Sequence, residues 1–284
     1  MRVSAGTQPA KAGSTFRELK ARDTYPPECH TSGTPTCDYR RMRREGLCAG
    51  RYAVVDVETT GLSQAADAVV EVAVLGIEGG EIVDRFVSLV NPGRPIPAYA
   101  SGVHGIYDRD VRDAPSLESL REHLLMLTCR ATVVAHNAVF DRGFLPFLSV
   151  RPWICTMRLA MHVIDAPSYR NEALRALLGI TMPADLGRAH RAYADAAVTA
   201  AVLDRLLERY AMGPFPQAVA GLIATIAKPA RLGRFAFGAH RGQPIGQVPS
   251  SYLRWILTEG FEDWPDVCAT AEFELGRRRR KMTA

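Results

Sequence analysis

The chain has 284 residues, 47% of them hydrophobic, which suffices to bury one substantial core with room for a small second module and excludes a wholly disordered polypeptide. No apolar run approaches the ~18 residues that span a bilayer, and Met1 to Ser14 lacks an apolar signal-peptide core, so a cytoplasmic protein without a membrane segment is expected. The net charge of +5 and pI near 9.0 come mainly from arginine, whose planar fork suits phosphate oxygens; this permits nucleic-acid binding without requiring it.

Residues 1–50 are rich in Pro, Thr, Gly and Arg without a sustained apolar period, which predicts a disordered extension, with Met42 as an alternative translation start. Cys29, His30, Cys37 and Cys48 lack the close paired spacing of a structural zinc site. The six cysteines together read as reduced thiols rather than a disulfide framework. From Arg51 the pattern turns to strands at Tyr52–Glu58, Val69–Glu78 and Ile82–Val90, the last two joined by a Gly79-Gly80 hairpin turn. Helices follow at Leu117–Leu127, Val139–Leu148, Thr156–Val163 and Ala192–Tyr210, with a short strand at Thr132–Ala135. Strands first and helices interleaved afterward predict an α/β domain over residues 51–211, its helices packed on a mixed sheet. Residues 212–230 read as a linker with a short apolar helix near Ala218–Ile226, and residues 231–284 as a small C-terminal module.

Asp56 and Glu58 lie two residues apart on the first strand, so both carboxylates leave the same face of the sheet. Val54, Val55 and Val57 mark that strand as interior, where unpaired like charges are costly unless protonated or bound to a cation. Such pairs also occur on surface strands. Two further acids sit where core residues belong: Asp141, on a helical face with Phe144, Leu145 and Leu148, and Asp195, with Val198, Val202 and Leu206. Together they suggest one shared site for hard divalent cations, magnesium or manganese, in which two ions act on a phosphodiester. His190, five residues before Asp195, is expected on the loop entering that helix, placed to take a proton from an attacking water; an exposed loop histidine is the plain alternative.

Three segments resemble, in order, the motifs of the DEDD exonucleases related to the epsilon proofreading subunit of bacterial DNA polymerase, in the subgroup with a third-motif histidine. They are Val55-Asp56-Val57-Glu58-Thr59-Thr60-Gly61-Leu62, His136-Asn137-Ala138-Val139-Phe140-Asp141 and His190-Arg191-Ala192-Tyr193-Ala194-Asp195. The resemblance implies a ribonuclease H-like fold, two Mg2+ or Mn2+ ions on Asp56, Glu58, Asp141 and Asp195, and His190 as general base. It further implies that Thr59, Thr60, Gly61 and Leu62 cradle and wedge the terminal nucleotide, with His104 and Asn137 as further substrate contacts. His104 sits in what reads as a loop after Pro95 and Pro97, where a purely structural role is equally open.

Trp153-Ile154-Cys155-Thr156-Met157 and the C-terminal segment narrow the resemblance to one bacterial branch of that family, over roughly Arg51 to Gly276. In the tail a glycine-rich turn, Phe235 to Gly242, precedes a helix starting near Pro249. Nucleoside triphosphate binding is not indicated, because no Walker lysine follows the glycines. His240 and Arg241 can contact phosphate and Tyr252 or Trp255 can stack on bases, but the three-residue spacing of the two aromatics favours a buried face. The Arg277–Lys281 run reads as a solvated tail with some nonspecific phosphate affinity. The expected activity is 3′→5′ exonucleolytic hydrolysis of DNA ends in repair or proofreading; an exoribonuclease on small RNAs and a noncatalytic nucleic-acid-binding module are the alternatives.

Overall fold

Two strands, β2 (Val69–Glu78) and β3 (Glu81–Leu89), form a hairpin whose turn needs Gly79 and Gly80, both at positive φ, 59° and 82°. The computed structural model describes residues 47, 50–183, 186–187, 189–235, 238–259, 261 and 264–282, all within one compact unit. Most of the predicted disordered extension, with Cys29, His30, Cys37, Met42 and Cys48, lies outside the described residues. Packing starts slightly ahead of the predicted boundary: Leu47 is buried in the core and its carbonyl accepts the Tyr52 hydroxyl.

The sheet has five strands in the order β3-β2-β1-β4-β5, with β1 at Arg51–Thr59, β4 at Thr132–Ala135 and β5 at Trp153–Cys155. β1 runs antiparallel to β2 and parallel to β4, and β4 parallel to β5, giving the expected mixed sheet. Helices α1 (Ala98–His104), α2 (Asp108–Val111), α3 (Leu117–Leu127), α4 (Val139–Phe144), α5 (Thr156–Val163), α6 (Asn171–Leu177) and α7 (Ala192–Met212) surround it. Both sheet faces are covered. Val54, Ala73, Leu75 and Val134 pack against α7, while Val55, Val57, Val72 and Val133 face Leu124, Phe144, Leu145 and Leu148. Burial on both sides explains why β1 and β2 read as nearly continuous apolar runs.

Three expectations change. The helix drawn over Val139–Leu148 ends at Phe144, because Pro146 has no N–H to continue it and opens a 3-10 turn instead. His104 lies at the end of helix α1, not in a loop; Gly105, at φ 73°, closes that helix by donating to the Ser101 carbonyl. The short apolar helix expected near Ala218–Ile226 is present as α8 (Val219–Ile226), and its Leu222 and Ile226 join the main core. The basic run at the C-terminus belongs to helix α10 (Pro265–Met282), which packs with α9 (Ser250–Thr258) around Leu232, Phe235, Val248, Leu253, Ile256, Val267, Ala271 and Leu275. Met161 and Tyr169 pack against this second cluster, and Arg158 pairs with Asp266, tying it to α5.

Candidate active site

Strand β1 puts Val55 and Val57 into one core and turns Asp56 and Glu58 to the opposite face, toward α7, as the two-residue period requires. There they meet Asp195 from the first turn of α7. One oxygen from each of Asp56, Glu58 and Asp195 lies within 4.8 Å of the others, and all three side chains are half-buried. Asp141 is more deeply buried, 3% exposed, and one of its carboxylate oxygens accepts the Val57 N–H at 3.2 Å. It stands outside the close trio but near enough to raise the Asp56 pKa.

The electrostatics follow from this crowding. Burial, then Asp141, Asp195, Glu58 and Glu71, push the Asp56 carboxyl well above the usual carboxylate range. Burial first, and then Asp195 and Glu71, raise Glu58 to about 8, against a smaller opposing pull from Arg191. Burial lifts Asp141 to about 7 despite its backbone donors, and burial also raises Asp195 while His190 pulls it down. Without a cation the cluster therefore holds protons near neutral pH. A hard divalent ion relieves both the repulsion and the desolvation, and an all-oxygen donor set is what such an ion takes.

The turn after β1 is stitched by its own side chains. Thr60 donates to Asp67 and accepts the Ala68 N–H, Ser63 N–H donates to the same Asp67 carboxylate, and the Thr59 hydroxyl donates to the Gly61 carbonyl. A Cβ on Gly61 would lie 2.5 Å from the Asp67 carboxylate, which two hydrogen bonds hold in place, so this close approach requires glycine. The turn presents Leu62 at 84% exposure. Tyr99 of α1 donates to the Thr60 carbonyl, bracing the turn from the other side. His104 is buried rather than at an open surface: its Nδ1 accepts the Ile106 N–H, and burial lowers its pKa against a pull from the Thr59 backbone. Asn137 is exposed with a left-handed φ of 60°, between β4 and α4. His136 beside it is held neutral, at about 4, by burial, and bridges Thr156 and the Tyr169 carbonyl.

His190 lies two residues ahead of α7, as the spacing predicts, with φ 59° and a largely exposed ring whose Nδ1 is 3.9 Å from Asp195 Oδ2. What holds this loop is a pair that sequence reasoning missed. Glu71 sits directly across from Glu58 in the β1–β2 register and is 1% exposed. It accepts from the Arg191 guanidinium and from the Ala192 N–H, so a strand carboxylate caps α7 from outside the helix. A Glu inside the Val-rich run of β2 was the only local signal, and its partner lies 120 residues away.

A carboxylate cluster on the central strand of a ribonuclease H-like sheet, with a histidine leading into the helix that supplies the last acid, defines a nuclease site of the DEDD type. The family model described as Exonuclease, of the RNase T type, matches residues 53–203, and the chain belongs to that exonuclease family. It is 34% identical over 209 residues to Exodeoxyribonuclease 10 of Escherichia coli K12, covering 72% of this chain and 89% of that protein. It is 35% identical over 170 residues to the PolC-type DNA polymerase III of Bacillus cereus, covering 57% of this chain but 12% of the polymerase. Among solved structures, Exonuclease X in complex with 5′ overhanging duplex DNA superposes with a TM-score of 0.53 at 31% identity, over 62% of this chain and 99% of that one. The bacterial branch suggested by the Trp153 segment and the tail is thus the exonuclease X branch. Among the described residues no helix is long and apolar enough to cross a membrane.

Proposed function

We propose that this exonuclease removes nucleotides from DNA 3′ ends by metal-dependent hydrolysis, in a repair or proofreading setting. The observation that carries the reading is the convergence of Asp56, Glu58 and Asp195 within 4.8 Å, with carboxyl groups that favour protons until a cation displaces them. The identity to Exodeoxyribonuclease 10 and the likeness to a DNA-bound Exonuclease X support DNA as the substrate.

Asp56, Glu58 and Asp195 hold the cations, and Asp141 completes the set while fixing the β1 backbone through Val57. Mg2+ or Mn2+ ions held by these carboxylates would lower the pKa of a bound water and offset charge on the scissile phosphate. Because Nδ1 of His190 faces Asp195, its Nε2 is the atom left to accept the proton of the attacking water. Leu62 wedges against the terminal base, the Thr59–Gly61 backbone and exposed Asn137 contact the terminal nucleotide, and buried His104 lies beside the Thr59 backbone. The test follows end-labelled single-stranded DNA, duplex DNA and RNA with magnesium, with manganese and with chelator. Stepwise loss from the 3′ end, fastest on DNA and stopped by chelator, is expected. Binding without cleavage in every condition overturns the reading, and a clear preference for RNA replaces the substrate.

A further inference from the structure

The chain entering α6 touches two of the acid-bearing segments of the candidate site. His136 Nε2 donates to the Tyr169 carbonyl at 2.9 Å, from the residue just ahead of Asn137 in the stretch that leads to Asp141. Two residues after Tyr169, the Asn171 amide Nδ2 donates to the Asp195 carbonyl at 3.3 Å and to the Thr199 hydroxyl at 2.9 Å. The amide nitrogen carries two hydrogens and meets two acceptors, which lie one turn apart on α7. Tyr169 and Asn171 thus fasten the segment before Asp141 and the turn that carries Asp195 to one another.

Of the three carboxylates that converge within 4.8 Å, Asp195 is the one whose support is weakest. Asp56 and Glu58 stand on β1, where both residues are paired in register with β2. Asp195 stands in the first turn of α7, whose N-cap residue Arg191 makes no side-chain capping bond, and helix ends fray. Repulsion within the trio is therefore relieved most cheaply by moving Asp195 outward. Glu71 holds the start of α7 from the sheet side through the Ala192 N–H, and Asn171 holds the same turn from the α6 side. The Asn171 Oδ1 is buried and finds no partner among the described residues. A buried acceptor without a donor is destabilising, and a single hydroxyl would satisfy buried Thr199 without stranding that oxygen. What the amide adds is its second hydrogen, on the Asp195 carbonyl.

We infer that Asn171 is a positioning residue for the cation site: by holding the Asp195 carbonyl it fixes the first turn of α7, and with it the place of the Asp195 carboxylate beside Asp56 and Glu58. This rests on the reading of those carboxylates as a divalent-cation site. Removing a group that orients a metal ligand without touching the metal costs about 10–100-fold in affinity. Asn171 holds the backbone of one ligand and not its carboxylate, which puts the expected loss at the lower end, about 10-fold.

The experiment uses the full chain. Manganese binding is measured by calorimetry without nucleic acid, the melting point is measured in chelator, and kcat and KM are measured on a short single strand at saturating manganese. The proteins compared are the unaltered chain, Asn171→Ala, Asn171→Ser and Thr199→Val. Asn171→Ala should weaken manganese binding by about 10-fold and lower kcat more than it raises KM. Asn171→Ser, a milder change that keeps one donor, should fall between the two, and it carries the test if the alanine variant does not fold. Thr199→Val removes the hydroxyl bond but leaves the amide its Asp195 carbonyl. It should lower the melting point of the chelated protein and leave manganese affinity unchanged. Unaltered manganese affinity in both Asn171 variants overturns the proposal. So does a loss in Thr199→Val as large as that in Asn171→Ala, because the amide would then serve only the buried hydroxyl. If the unaltered protein binds no manganese, the cation-site reading fails and takes this one with it.

Discussion

Replacing Arg191 with alanine removes the partner of a carboxylate buried beside the acidic cluster. Breaking a fully buried pair costs about 3–5 kcal/mol. Here the Arg191 side chain is 42% exposed and Glu71 only 2%. Solvent screening of the arginine, and the Ala192 N–H that Glu71 retains, argue for a discounted cost of about 2 kcal/mol. For a domain of this size that corresponds to a melting point lower by roughly 4–8 °C. Because the pair fixes the residues on either side of the α7 start, kcat should fall as well, and by more than KM rises. Differential scanning fluorimetry and single-turnover kinetics on a labelled oligonucleotide measure both, with Arg191→Lys as the conservative control that restores part of each. A variant that melts within about a degree of the unaltered protein and turns over normally would refute the claim that this pair anchors the histidine loop.

Asp56→Asn should abolish turnover, yet by relieving repulsion it should raise the melting point of the chelated protein; both are read from one preparation. His190→Ala should slow hydrolysis by about 10²-fold or more while leaving DNA affinity in chelator unchanged, and equal rates would remove the histidine from the chemistry. Glu58 and Asp141 are raised on folding, to about 8 and about 7, so between the ordinary carboxylate range and those values the folded state binds more protons than the unfolded one. Stability of the chelated protein should therefore fall as pH rises from about 5 to about 8, and magnesium should restore the most at the upper end. A melting point that is flat with pH, or a magnesium effect largest at the acid end, would contradict the cluster's electrostatics.

The strands were legible because their patterns are long and their turn is written in glycine: β2 and the Gly79-Gly80 turn fall where predicted. The three segments of the candidate site were legible because acids interrupting apolar runs are conspicuous. Other elements carry little local signal. β5 spans only three residues, too few to show a period, and α1, with Ser101 and Gly102 inside it, is held by burial of Ala100 against Val70, Ile96 and Val111 rather than by propensity. The α10 stripe of Val267, Ala271 and Leu275 is present in the sequence, but the arginines that follow it read as a tail. Glu71 was unreadable for a different reason, since its role exists only once the register of β1 with β2 and the start of α7 are both in place.

The pairing of β1 with β2 slips at the edge of the site: Glu58 faces Glu71, but Thr59 faces Val69, leaving Val70 as an extra residue. Val70 turns its side chain into the cluster with Ile96, Ala100, Ile106 and Val111, and its carbonyl takes the Val90 N–H. The spacing between the turn and Glu71 is thus fixed in length more than in composition. Removing one residue between Asp67 and Glu71 would restore regular pairing and straighten the strand, at the expense of the anchor for α1 and the aim of the Thr59–Leu62 turn. Substitutions in this stretch are open to repair by neighbouring side chains; a single-residue deletion is not, which makes it a place where the chain should tolerate changes of identity far better than changes of count.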